Sequence, residues 1–406
     1  MSRRLSQNTH PRAFMSSTNS KPPLRQDTKL AHAGRDPLAF HGFVNPPVVH
    51  ASTVLYPDTK TMVTGAQTYS YARRGNPTTD SLEGAMKEIE GAAGVKIANS
   101  GLNAIALAIL SCVKSGDHIL IVDTAYGPTR HFADTVLPGI GVSVTFYDPK
   151  IGADIKSLFQ ENTTAVFTEA PGSLTFEMQD VPAIAAEARA IGATVLMDNT
   201  WASPIYCQPL SMGVDLSIQA GTKYLVGHSD AMLGTVAASE RAWEKLDAFC
   251  GAMGCHVAPD DIYLGLRGLR TLSVRLERHQ RNTLAVLGWL KDQPNIDRIR
   301  YPGLESDPGH ALWKRDFSGA SGLCAFDFSE STTQEQAYAF LDALTLYGLG
   351  YSWGGFESLA IPVRLKGGRT ATPVNLDRQS VRLHIGLEDP EDLIADLDQA
   401  LTKAFG

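Results

Sequence analysis

No apolar run in this sequence approaches the roughly 20 residues that a bilayer-crossing helix needs, so a soluble chain is expected. Cationic clusters are equally scarce. The formal charge is −7, spread without long acidic blocks, which excludes an electrostatic footprint for nucleic acid and a polybasic anchor for a membrane surface. Small-molecule partners are left. Cysteine is sparse too: Cys112, Cys207, Cys250, Cys255 and Cys324 are odd in number and form no C-x-x-C pair, which argues against a disulfide framework and a zinc site. They read as small apolar residues in a reducing cytoplasm, and no metal is expected. Acidic residues are missing from the first 26 positions, which are rich in Arg, Ser and Asn and read as a disordered tail. A transit peptide has the same composition, and a start at Met15 would shorten the tail. No internal repeat interrupts the chain.

What is present is the composition of a folded protein, with 43% of the 406 residues apolar and 19% charged. That length exceeds one modest core, so two domains are expected. Between residues 95 and 239 the short apolar runs VKIA, HILIVD, AVFTEA, TVLMD, LSIQA and LGTVAAS alternate with amphipathic stretches such as LNAIALAILSCVKSG and PAIAAEARAIG. This rhythm predicts an α/β fold with a mainly parallel sheet. Gly116 and Gly192 stand where those helices should end, in the left-handed capping position. Beyond about residue 255, a long helical stretch over 260–293 leads to the strands LCAFDFS and VRLHIGLE and to a closing helix opened by Asp389 and Pro390. Leu393, Leu397, Ala400, Leu401 and Ala404 trace its apolar face. The expected organisation is a tail over 1–26, an arm over 27–69, an α/β domain over 70–255 and a smaller α+β domain over 256–406. The arm has too few periodic elements for its own core and is expected to wrap a neighbour.

The segment DLSIQAGTKYLVGHSD, residues 215–230, runs a strand into a turn of small residues that presents Lys223 beside Thr222. A nucleophilic lysine needs partial desolvation, which lowers its pKa and exposes a free amine, and a strand end supplies such a position. Alone, a lysine after a strand is an ordinary solvated residue. Asp198 ends the strand TVLMD at the carboxyl edge of the sheet, where α/β folds bind ligands; a helix N-cap is the competing role. In ANSGLNAIA, residues 98–106, Ser100, Gly101, Leu102 and Asn103 open a helix whose first N–H groups suit a phosphate.

The spacing D-L-x3-A-G-T-K-Y-L-x-G-H-S resembles the pyridoxal-phosphate attachment signature of the Cys/Met-metabolism (transsulfuration) family, and the likeness extends from about residue 27 to the C-terminus. The resemblance implies a fold-type I pyridoxal-phosphate transferase with a large mainly parallel sheet domain, and pyridoxal 5'-phosphate held covalently by Lys223. Asp198 would then meet the pyridine nitrogen and keep the ring an electron sink. Gly101 and Leu102 would donate to the phosphate and Thr222 would add a hydroxyl. The family often has a serine two residues before that threonine, where this chain has Ala220. Tyr126 in TAYGPTR would stack on the ring, its other reading being a plain core aromatic. YARRGNPTTDSLE, residues 71–83, resembles a Y-x-R segment that crosses to the neighbouring subunit. Tyr71 and Arg73 would bind the other chain's phosphate in a homotetramer, a dimer of dimers with shared sites; a surface arginine pair is the alternative. Arg382 would clamp the substrate α-carboxylate, with Ser352 and Trp353 of SWGGFESL lining the pocket, unless it pairs with a structural carboxylate.

Within the family, the S-W-G-G form at Trp353 resembles the β-lyases, where γ-acting members more often carry S-L-G-G. PGSLTFE, residues 171–177, stands where the γ-acting members usually read P-x-N-P. The implied reaction is β-elimination of an amino-acid thioether to a thiol, pyruvate and ammonia, in methionine biosynthesis. Lys223 would act as base at Cα, with Tyr126 or Tyr71 near the leaving group. A γ-lyase or γ-synthase, a broader cysteine-S-conjugate lyase and a non-catalytic cofactor-binding protein are the alternatives.

Overall fold

The computed structural model describes residues 24–364, 368–372 and 378–406. Most of the predicted tail, Met15 included, lies outside the described residues; Gln26 already opens a helix that runs to His32. Seven strands build the larger sheet: β1 (Gly94–Ala98), β2 (His118–Val122), β3 (Ser143–Tyr147), β4 (Thr163–Glu169), β5 (Thr194–Asp198), β6 (Leu216–Gln219) and β7 (Gly234–Ala238). Their order is β1-β7-β6-β5-β4-β2-β3, with every pair from β6 to β3 parallel and β7 antiparallel to both neighbours. The sheet is thus mainly parallel, as its apolar runs predict. Every residue of β2 is buried, which is why HILIV lacks polar alternation; β6, LSIQ, does alternate, yet Ser217 and Gln219 are buried as well.

Three local expectations are corrected. β3, SVTFY, is absent from the predicted strands because it lies at the sheet edge, half-covered and without a clean apolar run. The helix after β1 stops at Leu110, not near Gly116: Cys112 N–H turns back to Ile109 O and the Asp117 carboxylate accepts Lys114 N–H. Gly116 instead takes φ +89° in the turn into β2, whereas Gly192, at φ +79°, does follow helix Val181–Ala190. Residues 260–293 form two helices, Pro259–Leu269 and Leu272–Leu290, rather than one. The break is held by tertiary bonds, Arg270 Nη1 to Leu30 O and Ala33 O and Arg275 Nη2 to Gly268 O.

A second sheet of five strands, β8 (Ile296–Arg300), β9 (Leu323–Phe328), β10 (Gly348–Leu349), β11 (Leu359–Pro362) and β12 (Ser380–His384), has the order β10-β11-β12-β9-β8. The closing helix Pro390–Phe405 begins where predicted, with the Asp389 side chain accepting Glu391 N–H and Leu393, Leu397, Ala400 and Leu401 buried. Among the described residues no helix is long and apolar enough to cross a membrane. The five cysteines form no disulfide.

Candidate active site

The parallel strands β4, β5 and β6 end together, and their register sets Glu169 directly beside Asp198. These ends, the start of helix Gly101–Leu110 and the loop before β11 enclose a cavity of about 510 Å³ lined by Lys223, Asp198, Tyr126, Trp353 and Arg382.

The turn after β6 is closed by Lys223 N–H to Ala220 O at 3.0 Å. Thr222 fastens it to the next strand, its hydroxyl donating to Leu233 O at 3.2 Å and accepting Leu233 N–H at 2.9 Å. Lys223 Nζ donates to Ser352 Oγ at 2.6 Å and lies 5.3 Å from the centre of the Trp353 ring. Burial, then the neighbouring Arg382 cation, pushes the Lys223 pKa down to about 8, with Asp198 pulling the other way. Near neutrality, a usable fraction is free amine.

Asp198 Oδ1 accepts the Thr200 N–H at 2.9 Å and the Thr200 hydroxyl at 2.5 Å. That hydroxyl oxygen in turn accepts Ala220 N–H at 2.8 Å, so one threonine ties the carboxylate to the lysine turn. Burial raises the pKa of Asp198 against these bonds and against Lys223. The next helix, Ser203–Tyr206, is capped at Ala202, which removes the N-cap explanation for Asp198.

Glu169 is the site residue the sequence reading missed. Its Oε2 accepts the Tyr126 N–H at 2.7 Å, fixing the backbone that presents this aromatic ring. Burial first, and then the Asp198 charge, raises its pKa well above the ordinary carboxylate range. Its one signal in the sequence is its place at the end of the AVFTEA run.

At the helix start, Ser100 Oγ accepts Asn103 N–H at 3.1 Å, while the N–H groups of Gly101 and Leu102 have no helical acceptor. A Cβ on Gly101 would stand 2.4 Å from the Ala220 Cβ, so the glycine lets helix and lysine turn touch. Arg382 is half-buried on β12, donates to Ser352 O at 2.9 Å and has no ion-pair partner among the described residues. Desolvation lowers its pKa to about 10, which leaves a charged fork lining the cavity for an anion.

Lys223, Asp198, Gly101, Leu102, Tyr126, Thr222, Ser352, Trp353 and Arg382 therefore meet in one cavity. Tyr71 and Arg73 do not: they lie on a separate turn, with the Arg73 guanidinium 5.9 Å from the Tyr71 ring centre, and line other hollows. A low-pKa amine, a buried carboxylate, an aromatic face and a glycine-opened helix start are the donor set that pyridoxal 5'-phosphate requires, and these residues fit it.

The family described as Cys/Met metabolism PLP-dependent enzyme matches residues 27–402 of this chain. A Rhizobium johnstonii protein is 52% identical over 381 residues, covering 93% of this chain and 96% of its own length. The cystathionine beta-lyase of Salmonella typhimurium is 43% identical, over 91% of this chain and 96% of that protein. The crystal structure of cystathionine gamma synthase from Xanthomonas oryzae pv. oryzae is similar with a TM-score of 0.87 at 31% identity, covering 94% of this chain and 99% of that one.

Proposed function

This chain belongs to the Cys/Met metabolism family of pyridoxal-phosphate-dependent enzymes, and on that premise we propose that it catalyses β-elimination of L-cystathionine in the cytoplasm, as a step of methionine biosynthesis. The products are homocysteine and 2-aminoacrylate, which after release takes up water to give pyruvate and ammonia. The observation that carries the β over the γ reading is Trp353, whose indole stands beside the Lys223 amine in the S-W-G-G turn.

When bound, pyridoxal phosphate supplies a sink for the electron pair left at Cα. Lys223, Gly101, Leu102, Thr222 and Asp198 would hold it, with Tyr126 against its ring. Arg382 orients the substrate by its carboxylate, and the buried walls around Trp201 exclude water. Lys223 Nζ, steadied by Ser352 Oγ, takes the Cα proton; the same amine or the Tyr126 hydroxyl returns one to the departing sulfur. Tyr71 and Arg73 would complete the neighbouring chain's site in a homotetramer with shared sites. That assembly is supported by their distance from this cavity's lining and by the uncovered side chains of the arm: Leu38 is 90% exposed, Leu55 85% and Val63 80%.

Holoenzyme offered cystathionine and cystine side by side should release pyruvate from cystathionine; predominant 2-oxobutyrate would refute the β reading. Lys223→Ala should abolish turnover, and sustained multiple-turnover pyruvate release from it would remove Lys223 from the mechanism.

A further inference from the structure

Next to the S-W-G-G turn, four ring side chains pack where the two sheets' domains meet. The Tyr224 ring centre lies 5.2 Å from that of His279, 5.5 Å from Trp353 and 6.0 Å from His384, and the two histidine rings are 5.2 Å apart. Both imidazoles are buried. His384 shares β12 with Arg382, two positions on and therefore on the same face.

His384 Nε2 lies 3.1 Å from Gly354 N and 3.1 Å from Gly355 O. A given tautomer of a neutral ring can use only one of them: a bare Nε2 accepts from Gly354 N–H, and a protonated one donates to Gly355 O. The Gly354 N–H decides between the two: it points at Nε2 and has no other acceptor among the described residues, so a bare Nε2 satisfies it and the other tautomer would leave it orphaned in a dry interior. His279, whose Nδ1 lies 2.7 Å from Ile385 O, packs its ring against that of His384. His279 Nε2 and His384 Nδ1 are both buried without a hydrogen-bond partner. Burial keeps both rings neutral.

The turn so held has no slack. Ser352 adopts φ +84°, a left-handed conformation that costs a serine strain and persists only where its surroundings impose it. Gly354 is pressed onto the lysine backbone, where a Cβ would stand 2.8 to 3.0 Å from Tyr224 N and from Lys223 C and Cα. From this turn Ser352 meets Lys223 Nζ through its hydroxyl and Arg382 through its carbonyl.

We propose that His384, as the Nδ1-protonated neutral imidazole backed by His279, is a positioning residue: its bond from Gly354 N–H locks the strained turn against Lys223 and so places Ser352 and Trp353 around the thioether substrate. The inference rests on the reading of this cavity as the substrate site and adds a residue that acts on specificity from outside it.

In the holoenzyme, His384→Ala should raise KM for the thioether about tenfold, the worth of one buried hydrogen bond, with a smaller loss in kcat. The dissociation constant of a substrate analogue with methylene in place of sulfur should rise by the same factor. His384→Gln, whose amide reaches the place of Nε2, should restore most of both. In a Trp353→Ala background the His384→Ala effect should shrink below about twofold, because the residue acts through the turn. Unchanged KM and analogue affinity, a Gln variant as impaired as the Ala variant, or fully multiplicative effects would overturn the proposal. Should His384→Ala fail to fold, His384→Asn, too short to reach Gly354, takes its place in each comparison. A wild type that yields 2-oxobutyrate would sink the β reading alone, since the His384 test compares variants on whichever thioether is turned over.

Discussion

Lys223 becomes reactive through its surroundings rather than its neighbours in sequence. Burial and the Arg382 charge take its pKa from 10.5 to about 8, and Asp198 limits the fall. The sign of the consequence follows. Below pH 8 the amine is protonated, and its free fraction falls tenfold per pH unit; above pH 8 it is fully available. Capture of pyridoxal phosphate by cofactor-free protein should therefore accelerate tenfold per unit up to about pH 8 and then level off, followed by absorbance in stopped flow. A rate still climbing at pH 10 would mean an unperturbed lysine. Lys223, Asp198, Gly101 and Arg382 are legible in the sequence because each stands where an apolar run starts or stops, or within a long spaced motif. Glu169 only ends the AVFTEA run, outside any spaced motif, and His384 has no mark of its own inside VRLHIGLE. Their roles come from β4 lying beside β5 and from β12 facing the S-W-G-G turn, which are contacts between residues far apart in the chain.

At the scale of elements, the site depends on close approaches to the lysine turn, by Gly354 and by helix Gly101–Leu110. A methyl on Gly101 would sit 2.4 Å from Ala220 Cβ, so Gly101→Ala must push helix and turn apart. It should destabilise the cofactor-free protein by about 1–3 kcal/mol in urea unfolding and weaken cofactor binding at least about tenfold by titration. Gly84→Ala is the matched control: it lies within helix Pro77–Glu90 with open space around its Cβ position, so it should stabilise the fold by about 1 kcal/mol and leave cofactor affinity unchanged. Equal behaviour of the two variants would show that the approach is not tight. Apolar runs reveal the central strands because both sheet faces are covered. β3 escapes because its edge position leaves Ser143 exposed and the next three residues half-covered. The break at Arg270 escapes because its partners Leu30 and Ala33 lie some 240 residues earlier.

For the whole molecule, the second domain is fastened to the first by Asp123, just past β2. Its carboxylate accepts the N–H groups of Thr370, Ala371 and Thr372 and pairs with Arg130 and Arg369, and these bonds hold its pKa below the usual carboxylate range despite burial. That staple ties Arg369, Thr370, Ala371 and Thr372 to the end of β2 within one chain. Among the described residues no such contact brings Tyr71 and Arg73 to the cavity, so the shared-site assembly makes a sharp prediction. Arg73→Ala and Lys223→Ala chains should each be nearly inactive alone. When the two are co-expressed, a neighbour with intact Tyr71 and Arg73 can serve an intact Lys223, and random pairing restores roughly one quarter of wild-type activity. Activity no greater than the sum of the separate variants would place Arg73 at its own chain's surface and leave each site to a single chain.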